Sequence, residues 1–408
     1  MCAQAANAQA PAESSAPAGN DAGTASSQGA PHAQTRTMDI GDVLHQVFRR
    51  DAAPAAPDPA KKYFVATPSI GSKPSTGFSA GFSSNLAFYS GDNSHLSSMS
   101  AGMKVTQKKQ VSSGVRLNIF TPDDRWVLQS DNRLQWTSAN TYALGGDSAA
   151  IGGVNLKYDY FRLNETAYRR VEPGLFVGGG LNVSIHNDVR PGGSAAVIPD
   201  RAAYAQYSAA HGFAIDGQTS AGPSIGILYD TRDNSINADH GTLANAVYRT
   251  YFDGFLGGDS TWQSLNIDMR TYRPLTHDAR QKLAFWFLAN LVTGGTAPYF
   301  DLPEISYDGR SARGYSEGRY RGEHLLYGEV EYRGSLLQNG LVGVVAFLNT
   351  TFVDNPTTGQ KLFEAPAPGA GFGFRALLNK RSRTNFYTDW GWGKDGAHGL
   401  YIGIQEAF

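Results

Sequence analysis

Ser264-Leu265-Asn266-Ile267-Asp268-Met269-Arg270 alternates strictly, with leucine, isoleucine and methionine on one face and serine, asparagine, aspartate and arginine on the other. A period of two is the signature of a β-strand. What decides the fold is the chemistry of the polar face. In the dry core of a sandwich each unpaired charge costs several kcal/mol, whereas in the wet interior of a membrane barrel charges are ordinary. The same pattern recurs where Val115, Leu117 and Ile119 oppose Gly114, Arg116 and Asn118, and where Leu283, Phe285, Phe287, Ala289 and Leu291 share one apolar face. The sequence therefore predicts an all-β protein, an antiparallel transmembrane β-barrel with lipid outside and water within.

Composition bounds the alternatives. Among 408 residues there is no apolar run of about 18, so nothing predicts a membrane-crossing helix. Lys plus Arg number 35 and Asp plus Glu 36, a net charge of −1 that gives no reason to expect a nucleic-acid partner. Glycine (47 residues) and aromatics (12%) are abundant and charge is sparse (17%), which suits a barrel but equally a soluble sandwich or lectin, so alternation carries the prediction. The single cysteine, Cys2, excludes an internal disulfide framework and a thiolate metal cluster, and it reads as an unpaired tail cysteine rather than a lipidation site.

Residues 1–60 are rich in Ala, Ser, Gly, Pro and Gln and read as a disordered leader. Within it Ile40, Val43, Leu44, Val47 and Phe48 fall at helical spacing, predicting a short helix over 40–48. From residue 61 to 408 the chain reads as sixteen strands, near 62–70, 76–89, 96–107, 110–120, 124–137, 152–165, 174–187, 222–232, 241–253, 261–274, 280–293, 323–334, 339–353, 369–379, 382–393 and 398–408. The count has an independent check. In such barrels one end carries short turns and the other long loops, and the four long connections (138–151, 188–221, 294–322 and 354–368) all follow odd-numbered strands.

Three constellations stand out. Arg313-Gly314-Tyr315 lies in the sixth long-end loop; alone it is a common surface turn, but Glu329, Glu331 and Arg333 share one face of the next strand, and Arg383, Asn385, Tyr387 and Asp389 one face of a later one. An arginine brought inward would fork onto such carboxylates. Asp230 and Arg232 share the lumen face where the eighth strand ends, and with Asp233 they read as an ion-pair cluster pinning the rim rather than a transport element. Barrel closure requires 63–69 to pair with 400–408, yet Pro68 donates no ladder hydrogen bond and Gly399 and Gly403 pack little, so the seam, which ends at Phe408, is expected to be weak.

At this point the chain resembles the BamA and TamA superfamily of outer-membrane assembly and translocation factors, also called bacterial surface antigen barrels. The resemblance covers roughly residues 60–408 and rests on Gly226-Ile227-Leu228-Tyr229-Asp230-Thr231-Arg232-Asp233-Asn234 leading to Gly241, Arg313-Gly314-Tyr315, Tyr327-Gly328-Glu329-Val330-Glu331-Tyr332-Arg333, and Arg381 to Gly391. It implies a sixteen-stranded barrel whose sixth loop folds into the lumen, with Arg313 pairing Asp389 and Glu331 and with Glu329 beside them. It also implies opening between first and last strands, and a terminal Phe408 that serves the barrel's own insertion. Asn349 departs from the aspartate many members carry. The family's periplasmic POTRA modules have no counterpart in the leader, so the chain looks like a short subfamily lacking them.

No Gly-x-Ser-x-Gly elbow, phosphate loop or His-Glu-x-x-His pair occurs and the nine histidines are scattered, so no enzyme activity, cofactor or metal is expected. Three functions stay open: an assembly or translocation barrel, a passive diffusion channel, and a structural surface-antigen barrel. The partners expected are outer-membrane lipids, barrel-protein or secreted clients, and a second copy or a separate periplasmic protein.

Overall fold

The computed structural model describes residues 37–47, 62–73, 77–91, 93–148, 153–192, 197–306 and 310–408. The leader's remaining residues, Cys2 included, lie outside the described residues. Sixteen strands form one sheet: β1 (Tyr63–Lys73), β2 (Gly77–Tyr89), β3 (Leu96–Thr106), β4 (Val111–Phe120), β5 (Trp126–Thr141), β6 (Val154–Glu172), β7 (Leu175–Pro191) and β8 (Gln218–Asp230). Then follow β9 (Gly241–Tyr251), β10 (Trp262–Pro274), β11 (Gln281–Gly295), β12 (His324–Ser335), β13 (Val342–Val353), β14 (Ala367–Asn379), β15 (Thr384–Gly393) and β16 (His398–Ile404). Each strand pairs antiparallel with the next in sequence, so the sheet curls into a nearly closed barrel with the expected number of strands.

Alternation fixes which face looks where. Leu265, Ile267 and Met269 sit opposite Leu291, Ala289 and Phe287, and this face meets the surroundings, with Phe285, Phe287 and Met269 all exposed. The other face lines an interior filled by loops. Helix α2 (Ala203–His211), in the long connection after β7, packs Tyr204 and Tyr207 against Tyr299 and Phe300 of the loop after β11. Periodicity did not announce this helix, which has almost no apolar stripe of its own.

The seam departs from expectation. β1 and β16 lie side by side, but among the described residues no hydrogen-bond ladder joins them. β16 stops at Ile404 instead of running to 408, because Gln405 turns the backbone with φ 83° and sends Glu406, Ala407 and Phe408 into the lumen. There the Phe408 ring stacks on Trp286 with centroids 5.0 Å apart, and Arg333 lies 4.9 Å over that ring and donates to the Phe408 carbonyl at 2.7 Å. Burial of an aromatic with a cation over it outweighs a few ladder bonds at an exposed edge. Phe408 is therefore an interior residue and not part of the seam. Pro68 does not end its strand, which continues to Lys73; as a residue without an N–H it fits an edge strand. Gly399 and Gly403 leave room for the hydroxyls of Tyr401 and Tyr387, so their lack of side chain is filled from neighbouring residues.

At the short-turn end the connection 231–240 folds across the mouth. Arg232 forks onto Asp230 at 2.7 and 2.9 Å, both buried, and Ser235 Oγ donates to the Leu96 carbonyl at 2.6 Å. Lys282 Nζ holds Asp239 and the Ala238 carbonyl at 2.9 and 2.8 Å. The expected rim cluster divides here: Asp233 pairs with Arg383 at 2.5 Å, across the mouth, rather than with Asp230 and Arg232. Helix α1 (Ile40–Val47), close to the predicted 40–48, opens with Asp39 and Asp42 each accepting from the other's backbone N–H at 3.0 Å. It docks on two neighbouring turns, where Lys380 Nζ reaches Asp42 at 2.5 Å and Met38 N donates to the Asn339 carbonyl at 2.9 Å.

Two further turns at this end are tied by His95, whose N and Nδ1 lie 2.8 and 2.6 Å from the two carboxylate oxygens of Asp124. That hydrogen bond, opposed by partial burial, raises the imidazole above its ordinary 6.5. A folded-state value above the unfolded one means the stabilisation is fully present below pH 6.5 and disappears as pH rises through the raised value. The expected outcome is that His95→Gln lowers rim stability, read by limited proteolysis of the turns, at pH 6 but not at about pH 9. An equal difference at both values would refute the linkage.

Candidate functional site

The loop between β11 and β12 enters the lumen and delivers Arg313, which is only 1% exposed. Its Nη1 donates to Asp389 Oδ2 at 2.6 Å, and its Nη2 to Glu331 Oε2 at 2.5 Å and to Glu329 Oε1. The guanidinium also lies 3.6 Å from the centroid of the Phe347 ring. Strand alternation explains the convergence: Glu329 and Glu331 are two apart on β12, Phe347 pairs with Glu331 across the β12–β13 ladder, and Asp389 projects inward from β15. The planar guanidinium reaches them from two separated nitrogens, Nη1 toward β15 and Nη2 toward β12, a span that a single ammonium nitrogen lacks.

Neighbouring arginines extend the network. Arg333 donates from Nε to Glu331 at 2.7 Å, and Arg375 from Nη1 to Asp389 at 2.5 Å and from Nε to Glu406 at 2.6 Å. Three guanidiniums thus face four carboxylates, Glu329, Glu331, Asp389 and Glu406, and Tyr327 supplies a further donor to Glu329. Taking one arginine away leaves buried carboxylates facing one another.

The backbone around Arg313 is equally constrained. Gly314 has φ 119°, and a Cβ there would lie 2.8 Å from the Trp392 carbonyl carbon. Its N–H donates to the Tyr401 hydroxyl at 2.9 Å, and that hydroxyl donates to the Tyr315 carbonyl at 3.1 Å. Tyr315 is buried, donates to the Pro368 carbonyl and accepts from Lys394 N at 2.9 Å. Asn349 Nδ2 donates to the Arg313 carbonyl at 3.3 Å, a contact an aspartate could not make. Gly391 of β15 packs directly against the loop, since a Cβ there would meet Gly314 N at 2.7 Å.

The structure therefore brings together Arg313, Gly314, Tyr315, Glu329, Glu331 and Asp389 as the sequence predicts. It keeps Asp230 and Arg232 apart, as a separate pair at the short-turn end. Arg375, Glu406, Tyr401 and Phe347 were not singled out from sequence. For Arg375 a signal existed: it is the charge closing the run Gly369, Gly371, Gly373 on the inward face of β14, where absent side chains announce a space to be filled.

Between loop residues Phe300 to Glu304 and turn residues Arg232 to Ile236 lies a polar cavity of about 470 Å³. Arg116, Asp131, Asn245, Arg249 and Glu406 are among its walls. Among the described residues no group of His, Cys, Asp and Glu is arranged to hold a metal ion.

No family model and no curated protein matches the chain. Solved structures do. BamA from Haemophilus ducreyi lacking POTRA domains 1–3 is similar over 84% of this chain and 68% of that one, at 13% identity and TM-score 0.52. CdiB from Acinetobacter baumannii matches over 84% and 59%, at 10% identity and TM-score 0.53. CdiB from Escherichia coli matches over 86% and 63%, at 12% identity and TM-score 0.51. The chain spans about three fifths of the two CdiB chains. At these identities the likeness is one of fold: a sixteen-stranded barrel of the kind found in outer-membrane proteins.

Breaking a buried ion pair costs about 3 to 5 kcal/mol, so Arg313→Ala is expected to lower the unfolding midpoint of the purified barrel. Arg313→Lys is expected to recover little of it, because a compact ammonium lacks the planar fork whose two ends reach Asp389 on one side and Glu329 and Glu331 on the other. Gly314→Ala should act in the same direction through φ and the Trp392 contact. Wild-type midpoints in all three variants, by thermal shift of the folded band on gels, would show that the lock is energetically idle.

Proposed function

We propose that this chain resides in the bacterial outer membrane as a barrel of the assembly or translocation type, assisting insertion or export of proteins or lipids. The observation that carries the reading is the conjunction of an arginine-locked loop in the lumen with a first-to-last seam that, among the described residues, has no ladder. Hydrophobic outward faces on strands that each pair with the next in sequence suit residence in a bilayer. The short-turn end then faces the periplasm and the long loops the exterior. A barrel whose lumen holds a loop, a turn and an inward tail offers poor passage to solutes, while an edge free of hydrogen bonds offers an entering strand something to pair with. BamA and CdiB supply the precedent for the fold; the role is transferred as a proposal. The reading gives the barrel no catalytic step.

The passive diffusion-channel alternative differs in one measurable respect. In planar bilayers the wild type is expected to conduct weakly and Arg313→Ala to conduct at least several-fold more, whereas an open channel would conduct fully before any substitution. Photocrosslinking in cells from positions 64 and 404, which flank the seam, is expected to recover barrel precursors or exported chains. High wild-type conductance together with no client adducts would overturn the assembly reading in favour of a diffusion channel.

A further inference from the structure

The outer surface of the barrel carries polar groups where lipid tails should be. On β6, Lys157, Asp159, Phe161, Leu163, Glu165, Ala167 and Arg169 share the face that pairs with Ser138, Trp136, Leu134, Asn132, Ser130, Leu128 and Trp126 of β5. This is the outward face: Trp126 and Trp136 are 43% and 47% exposed, while the opposite face sends Tyr168 across the lumen to Asn245 at 2.9 Å. Ten residues separate the two tryptophans, about 33 Å of strand and, at a tilt of about 40°, about 25 Å of membrane. They mark the two interfaces.

Midway between those levels Glu165 Oε1 accepts from Ser130 Oγ at 2.8 Å and from Asn132 Nδ2 at 2.7 Å. Asn132 Nδ2 also donates to Ser130 Oγ at 2.9 Å, so the donors of the trio are spent on one another. What remains are acceptors. Asn132 Oδ1 has no partner but is buried, so Glu165 Oε2, which among the described residues has no partner either, is the acceptor left facing outward, and Asn132 serves to hold the carboxylate. Lipid-facing charge at this depth is costly and marks function by default. The outward face of β11, with Leu283, Phe285, Phe287, Ala289 and Leu291, shows what the same barrel presents where nothing polar is needed.

The trio does not stand alone. Arg169, 6.0 Å over the Trp126 ring, sits at one interface, and Lys157, on the same face twelve residues away, near the other. Arg169 at one headgroup level, Lys157 beside Asp159 at the other, and the Glu165 carboxylate between them offer a zwitterionic phospholipid a cation for its phosphate at either end and a carboxylate for its ammonium at the midpoint. Such a file lowers the desolvation cost that keeps a headgroup from crossing hydrocarbon.

We propose that the β5–β6 outer face is a path along which ammonium-bearing phospholipids exchange between leaflets, with Glu165 receiving the ammonium midway. The proposal rests on the membrane-spanning reading, but requires neither the seam nor the loop lock.

The test uses the full chain reconstituted in vesicles of phosphatidylcholine and phosphatidylethanolamine, with a trace of phosphatidylethanolamine labelled on its acyl chain and quenched from outside by dithionite. An entrapped soluble dye reports leakage. Wild-type protein is expected to expose inner-leaflet label without dye loss, and Glu165→Leu to slow that exposure about tenfold. Asn132→Leu should slow it in the same direction, and labelled phosphatidylglycerol, which lacks the ammonium, should cross more slowly than phosphatidylethanolamine. Replacing a lipid-facing carboxylate by leucine does not threaten the barrel, and heat-modifiable gel mobility verifies that each variant is folded and inserted. Inserted wild-type protein that exposes label no faster than empty vesicles, or Glu165→Leu that equals wild type, overturns the proposal and leaves the assembly reading intact. Protein that never enters the vesicles overturns both.

Discussion

The loop that fills one end of the lumen is arranged around a guanidinium taken out of water. Arg313 carries a charge whose desolvation is repaid only where several carboxylates converge with good geometry, and Glu329, Glu331 and Asp389 converge on it from two non-adjacent strands. That demand sets much else. The apex must pass close to β15, which puts glycine at 314 and 391; the loop must be held from both sides, which engages Tyr315 and Tyr401. Surrounding carboxylates must themselves be balanced, which brings in Arg333 and Arg375.

The seam follows a different logic. A strand pair at a closing edge needs length and donors, and here β16 has seven residues and β1 carries a proline. The residues that would have extended β16 find stronger partners in the interior, where Phe408 meets Trp286 and Arg333. Strand formation at this edge thus competes with burial, and burial prevails.

Much of this was legible in the residues. Alternation is local, so strand number, facing and the parity of long loops could be read directly; Leu265, Ile267 and Met269 face outward as their pattern requires. The acidic partners of Arg313 were legible because they lie on strands whose facing was already known. What escaped is what depends on contacts distant in sequence. The inward turn at Gln405 is a single positive φ at a non-glycine residue, for which no composition rule exists. α2 lacks an apolar stripe and is held by Tyr299 and Phe300 from another loop, so no period revealed it. Asp233 was grouped with its chain neighbours, while its partner Arg383 stands 150 residues away.

Arg375 reaches two carboxylates at once, sharing Asp389 with the loop arginine and holding Glu406 of the inward tail. Arg375, together with Arg333 and the Tyr401 hydroxyl, therefore yokes the final strand to the loop. A tug on β16 is transmitted to the residue that anchors the loop, and any force that withdraws the loop slackens the tether on the strand's end. Strand end and inward loop are parts of one linkage, so a change at either is felt at the other.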